Sequence, residues 1–427
     1  MNSVSKITSQ IKNQLQKLFW LLLMLLVLQG SVLVQVEPAQ VVRQYTRPIE
    51  FDFTSWTVNA SLVRWSQVST GASSLLDEKT RTEVVREYFY LTYSINQVNA
   101  AIDLIFTDPA IPDPEVQARD YIQQRESMSE ARDAIQALAE SILAEQVGAA
   151  ISEAGIGILG AAVPPVAFHL TQTPYALIVS PRDVIRQDAN IQLDASLTLE
   201  ERVSLENQVE QDLDVSALVV ATGGIGIYPT MVLESTSLSW ILEVIAHEWT
   251  HNYLSLHPLG LQYGTSAELR TMNETVANLI GKEISHRVLA AFYPDLLPPE
   301  VDAAADIPLL YEIQEPVFDF NAEMRETRIN VDSLLAQGKV KEAETYMEER
   351  RAFFWDNGYA IRKLNQAYFA FHGAYADQAG GGAAGEDPVG AAVRALWQQL
   401  NDPAAFLKEM AWMDSVTDLE RALAEQP

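Results

Sequence analysis

The chain has no cysteine. That excludes disulfide staples, thiol nucleophiles and cysteine-held metal, so stability has to come from a packed core. Basic residues are scarce: 29 Lys and Arg stand against 57 Asp and Glu, a net charge of −28. A surface of that sign repels phosphate, which excludes nucleic acid and anionic lipid as partners. No phosphate loop is complete, because Gly223-Gly224-Ile225-Gly226 is followed by neither a further glycine at the right spacing nor a lysine. Long apolar runs are few: Gly155 to Val166, expected as a buried connector with a membrane-interacting loop as the alternative, and one near the N-terminus. Leu18 to Leu28 reads LFWLLLMLLVL, behind a flank carrying Lys6, Lys12 and Lys17 and no acid. Residues 1–36 are therefore expected to be a targeting segment. It would act as an uncleaved membrane anchor with the basic flank in the cytoplasm and the rest outside, or yield a secreted protein if cleaved.

Histidine is rare too, at six residues, yet two of them form His247-Glu248-Trp249-Thr250-His251. Apolar Ile241, Leu242, Val244, Ile245 and Ala246 lead into this HExxH motif, with capping candidates at Ser235, Thr236 and Ser237 and no Gly or Pro before Pro258. On the helix this predicts, positions i and i+4 share a face, so both imidazoles can hold one metal ion. Glu248 lies beside that face, placed to take a proton from water rather than to bind metal. A catalytic zinc site usually needs a third protein ligand. A turn at His257-Pro258-Leu259-Gly260 is followed by a second helical pattern from Thr265, carrying Asn273-Glu274; Glu268 and Glu283 are rival acids on it. His257 falls where a metzincin would have its third histidine, but Leu254 replaces the glycine that such a turn requires, leaving His257 a minor alternative.

With its HExxH helix followed by a helix bearing Asn-Glu, the chain resembles the gluzincin metallopeptidases. The resemblance covers roughly residues 240 to 375 and is closest to a bacterial aminopeptidase family within that group. It implies one Zn2+ held by His247, His251 and Glu274, with Glu248 as general base. Many gluzincins have an aspartate four residues after the glutamate to orient a ligand histidine; Asn278 stands there here. The pattern Ile361 to Tyr375 reads as a helix placing Asn365, Tyr368, His372 and Tyr375 on one face. The resemblance makes Tyr375 the first candidate donor to the oxyanion of the scissile carbonyl, His372 and Tyr368 the next, and Asn365 a positioning residue. Gly223 and Gly224 occupy a position similar to the Gly-rich substrate strand of gluzincin aminopeptidases, although the acid that binds a free amine there is missing.

The remaining pattern is mostly helical. Glu37 to Ser74 reads as a spacer and residues 76–165 as a helical hairpin, broken at Asp108-Pro109 to Asp113-Pro114. Residues 166–292 combine β-like runs (Phe168–Ser180, Ile185–Leu193, Ala217–Ala221, Ile225–Leu233) with an acidic helix from Leu197 to Leu213 and the two motif helices. Residues 293–427 read as a helical subdomain whose last helix runs from Pro388 to Ala424. The expected class is α+β, predominantly helical, with a zincin-like catalytic core. The expected function is zinc-dependent hydrolysis of a peptide or protein substrate, aminopeptidase or endopeptidase action staying open. The alternative is an anchored, non-catalytic helical scaffold with a structural zinc site, which a fourth protein ligand such as His257 would favour.

Overall fold

The computed structural model describes residues 37–70, 72–107, 111–297, 318–373 and 388–425. The expected anchor and Tyr375 lie outside them. Among the described residues no helix is long and apolar enough to cross a membrane. The fold is predominantly helical with two small sheets, compatible with α+β.

The stretch expected as spacer is folded. Glu37–Thr46 (α1) and Phe53–Thr70 (α2) are helices. Val42, Tyr45 and Ile49 pack into a core with Leu177, Val179 and Ile191, and Glu50 bridges Leu193.

The hairpin follows the punctuation of its sequence. Glu78–Thr107 (α3) ends before the Asp-Pro break, and Pro114–Glu153 (α4) starts with proline at its first turn, where a missing N–H costs nothing. The two run antiparallel. Val98 and Ile102 meet Ala118 near the turn, whereas Arg81 pairs with Glu145 at the far end, 2.6 Å apart.

Two three-stranded sheets follow. Phe168–Thr171 (β1), Tyr175–Pro181 (β2) and Ala189–Leu193 (β3) come first. Pro174 separates β1 from β2, and they join different sheets. The helix Leu199–Leu213 (α5) is closed by a capping box, Thr198 with Glu201. Val215–Ala221 (β4), Gly224–Ile225 (β5) and Thr230–Leu233 (β6) complete the set. One sheet has the order β3-β2-β4, antiparallel throughout; the other has the order β1-β6-β5, with β1 parallel and β5 antiparallel to β6.

Period-two side chains divide the first sheet between two cores. Leu177 and Val179 face α1 and α5. Ala176 and Ile178 face Phe320–Ala336 (α9), Val340–Asp356 (α10) and Gln366–His372 (α11). The motif helix Leu238–Leu254 (α6), the short Pro258–Leu261 (α7) and the helix Ala267–Phe292 (α8) sit instead in the largest core, with α3, α4, β1 and β6. That core also takes the C-terminal helices Pro388–Leu400 (α12), Pro403–Ala411 (α13) and Val416–Glu425 (α14). The expected single last helix is thus three. Asn401 takes a left-handed φ of 47° and Asp402 caps a helix beginning at Pro403, which ends α12 at Leu400. Helices α9–α11 and α12–α14 pack on different cores.

Candidate metal centre

Two helices position the site. Ser237 caps α6 by accepting from Trp240 N, and Ser266 caps α8 by accepting from Leu269 N. They cross at Gly281, where a Cβ would lie 2.9 Å from the Glu243 carbonyl oxygen and 3.2 Å from His247 Cβ. Only hydrogen at that position allows the backbones so close, and the close crossing brings Glu274, two turns earlier on α8, over the histidine face of α6.

His247 Nε2 and His251 Nε2 are 3.0 Å apart, and Glu274 Oε2 is 3.5 Å from each. Donors held about 2.0–2.1 Å from a tetrahedral ion lie about 3.3–3.4 Å from one another, so this triangle is of the right size. Glu274 is 3 % exposed, and among the described residues its Oε2 has no hydrogen-bond partner, 3.5 Å being beyond normal hydrogen-bond reach. A buried carboxylate oxygen without a donor is unfavourable unless a cation takes the lone pair. Its other oxygen accepts from Tyr263 Oη at 2.5 Å. Glu248 completes the group: ligand atoms of His247, Glu248 and His251 lie within 4.8 Å of one another, an arrangement that could hold a metal ion.

The electrostatics follow from burial and proximity. Burial pushes the Glu248 carboxyl above the usual carboxylate range, with the adjacent imidazoles pulling the other way. Burial alone would lower the His251 pKa, but the Glu274 carboxylate outweighs it and raises it to about 9. Glu274 is held well below its usual range in spite of its burial, by His251 and His247. Without metal, a proton thus resides on the imidazole side of this cluster.

The histidine ring is oriented by Asn273, whose Oδ1 lies 2.7 Å from His251 Nδ1. An N–H at Nδ1 donating there leaves the Nε2 lone pair directed at the triangle. Asn273 is itself held by Leu259 O at 3.3 Å. The carboxamide that orients His251 therefore comes from the residue before Glu274. Tyr263 and Asn273 are the functional candidates that sequence reasoning missed. Asn273 stood in the quoted Asn-Glu pair, but its role depends on how α8 crosses α6; Tyr263 carries no motif at all.

The glycine segment lies on the site. A Cβ at Gly224 would sit 2.7 Å from Glu248 Oε1 and 2.8 Å from Val244 Cγ1, and one at Gly226 would sit 2.9 Å from His251 Cβ. Gly223 lies instead against Trp240. Among the described residues strand β5 pairs with β6 alone and leaves its other edge unpaired in its sheet.

The expected helix from Ile361 starts only at Gln366, so the one-face alignment of Asn365 with Tyr368 and His372 does not hold. Asn365 is the N-cap of α11: its Oδ1 accepts from Tyr368 N, and its Nδ2 donates to Ala217 O on β4 at 3.1 Å. Those bonds engage the carboxamide in joining α11 to the sheet. Tyr368 and His372 pack against each other, their ring centroids 4.3 Å apart and their planes tilted by 47°. Burial pushes the Tyr368 hydroxyl up to about 12 and the His372 imidazole down to about 4, so both are neutral at physiological pH. The tie between α11 and the metal helices is Arg270, one turn before Glu274, which donates to Ala370 O at 2.8 Å. His257 is turned away from the centre. Its Nδ1 bonds Tyr253 O, and its ring lies between Tyr253 and Trp412. Compared with family models, curated proteins and solved structures, the chain matches none.

Proposed function

We propose that the protein is a zinc-dependent peptidase with a zincin-like core, tethered to a membrane by residues 1–36 and acting outside the cytoplasm. The observation that carries this reading is the triangle of His247, His251 and Glu274, closed around an unpartnered buried carboxylate oxygen beside Glu248. His247, His251 and Glu274 would hold the ion, three protein ligands and an open position being the catalytic pattern. Zinc so held acts as a Lewis acid towards a carbonyl and lowers the pKa of water.

The chain's own residues supply the rest. Glu248, its carboxyl raised by burial, would take a proton from the attacking water and return it to the leaving amine. Tyr263 and Asn273 would fix the Glu274 carboxylate and the His251 ring. The free edge of β5, directly above Glu248, would receive an extended peptide by main-chain hydrogen bonds. His372 and Tyr368 on α11 remain donor candidates for the oxyanion, and Tyr375 is a third.

The test is Glu248→Gln in the full-length protein. Zinc content and melting temperature should stay unchanged while peptide hydrolysis falls by about 10²–10⁴-fold. Unchanged hydrolysis would remove Glu248 from the reaction. Zinc bound in both proteins with no hydrolysis in either would move the reading to a structural site.

A further inference from the structure

Three segments flanking the candidate centre carry no Asp, Glu, Lys or Arg: 154–181, 215–233 and 249–267. In a chain with net charge −28 that is a marked local absence. Hydrogen bonds join parts of the three segments. Trp249 Nε1 donates to Pro164 O at 2.7 Å, and Tyr228 Oη donates to Pro165 O at 3.1 Å. From Trp249 the rings continue through Tyr253 and His257 to Trp412, just after α13. Gly155 lies against Ala404 on α13.

The face so formed is apolar where it meets water. Ile158 is 57 % exposed, Leu159 fully exposed, and Leu256, Leu261 and Trp412 between 61 % and 66 %. Leu159 is the most telling. Ile158 and Ala161 exchange both main-chain hydrogen bonds, making Leu159-Gly160 a two-residue hairpin turn with φ of 53° and 80°. Turn chemistry prefers Asn, Asp or Gly at both positions. A leucine held there with its side chain in water is unfavourable on two counts, and insertion into an apolar phase removes one of them.

We propose that this face rests on the surface of a lipid bilayer, with Leu159 and Trp412 entering the headgroup boundary. The proposal rests on the reading of residues 1–36 as a membrane tether, and chain length favours the bilayer over other occupants. Eight residues lie between Leu28 and Glu37, so even a span ending at Leu28 leaves a reach of at most about 30 Å. The folded body is then held within one molecular radius of the membrane and must turn some face to it. Its acidic faces would be repelled by anionic headgroups and gain nothing from neutral ones, whereas the charge-free loops bearing exposed Ile158, Leu159, Leu256 and Leu261, with Trp412 beside them, suit a neutral interface. The Gly226–Tyr228 turn over His251 belongs to this face, so docking would set the metal centre close to the bilayer and favour membrane-proximal peptide segments as substrates.

The absence of cysteine makes the test direct. Leu159→Cys gives a unique site for an environment-sensitive fluorophore, and Leu104→Cys on α3, 70 % exposed, gives a control. Full-length protein is incorporated into phosphatidylcholine nanodiscs doped with lipid spin-labelled near the headgroup. The label at 159 should shift to the blue and lose at least half its emission to the quencher, with the label at 104 unchanged. Co-elution with discs but an unquenched label at 159 would overturn the docking and leave the tether standing. Failure to co-elute would overturn the tether, and the docking with it. A blue-shifted but unquenched label would point to a second copy or a protein partner and would likewise overturn the bilayer as occupant.

Discussion

Two buried glutamates show how this molecule separates structure from chemistry. Glu206 on α5 is 1 % exposed and fully satisfied. Its Oε1 accepts from Val219 N and from Arg362 Nη2, each at 2.6 Å, and its Oε2 accepts from Arg362 Nη1 at 2.8 Å. Glu274 is 3 % exposed and half satisfied, with Tyr263 on one oxygen and two imidazole nitrogens, too far for hydrogen bonds, facing the other. Burial and charge are nearly the same; only the donor count differs. A carboxylate that supports a fold is surrounded by donors, whereas one with a vacant lone pair in a dry site is arranged for a cation.

The sharpest way to break this contrast is to neutralise each in turn. Glu274→Gln should lower zinc affinity by at least about 100-fold, read by competition with a chelator, and should leave the metal-free protein little changed in melting temperature. Glu206→Gln should keep full zinc content and lose about 2–4 kcal/mol of stability, read by urea unfolding. Removing one partner of a buried pair is expensive, and the figure is moderated because a third of the Arg362 side chain is exposed. Equal zinc loss in both variants, or equal destabilisation, would erase the distinction.

A smaller effect sharpens it along the pH axis. In the metal-free protein the His251 pKa lies near 9, above its unfolded value of 6.5. Its contribution to stability is therefore complete below about pH 6.5 and is lost as pH rises through 9. Metal requires the neutral ring, so a proton must leave on binding. Apparent zinc affinity should rise by up to about tenfold per pH unit on approaching pH 9 and level off above it. The increase in melting temperature on adding zinc should grow over the same interval. Glu206 has no such partner, and Glu274→Gln should flatten the dependence.

What was legible in the sequence was what short-range rules control. Helix α4 runs from Pro114 to Glu153, as the Pro break and apolar pattern indicate, and α6 starts after one of its three candidate caps. The pair His247 and His251 is legible because i, i+4 spacing is a property of any helix. Roles set by distant partners were not legible. The segment before Gln366 reads as helix, but Asn365 and Gln366 are drawn to Ala217, Ser216 and Arg182, some 150 to 180 residues away, and the helix begins only after those bonds are made. Nothing along one helix singles out Asn273 as the residue beside His251; the crossing at Gly281 puts it there. The break at Asn401-Asp402-Pro403 was legible in principle, as a left-handed residue, a cap and a first-turn proline in succession, and was outweighed by apolar periodicity on either side.

The smallest effect tests whether the glycine strand belongs with the chemistry or with the scaffold. At Gly224 an added methyl meets Glu248 Cγ and Val244 Cγ1, both at 2.8 Å, so something has to move. Val244 is held in the helix, and its resistance should cost about 1–3 kcal/mol, the usual range for overpacking. The Glu248 carboxylate is the mobile end and should be displaced, and a shift approaching 1 Å in a catalytic group can cost about 100-fold in rate. Gly264 offers the comparison, since nothing lies within 4 Å of its added Cβ. Gly264→Ala should change stability by no more than about 0.5 kcal/mol and leave hydrolysis alone. Gly224→Ala should lose proportionately more activity than stability. If its activity falls only as far as the folded fraction does, β5 is scaffold, and the peptide must approach Glu248 from another side.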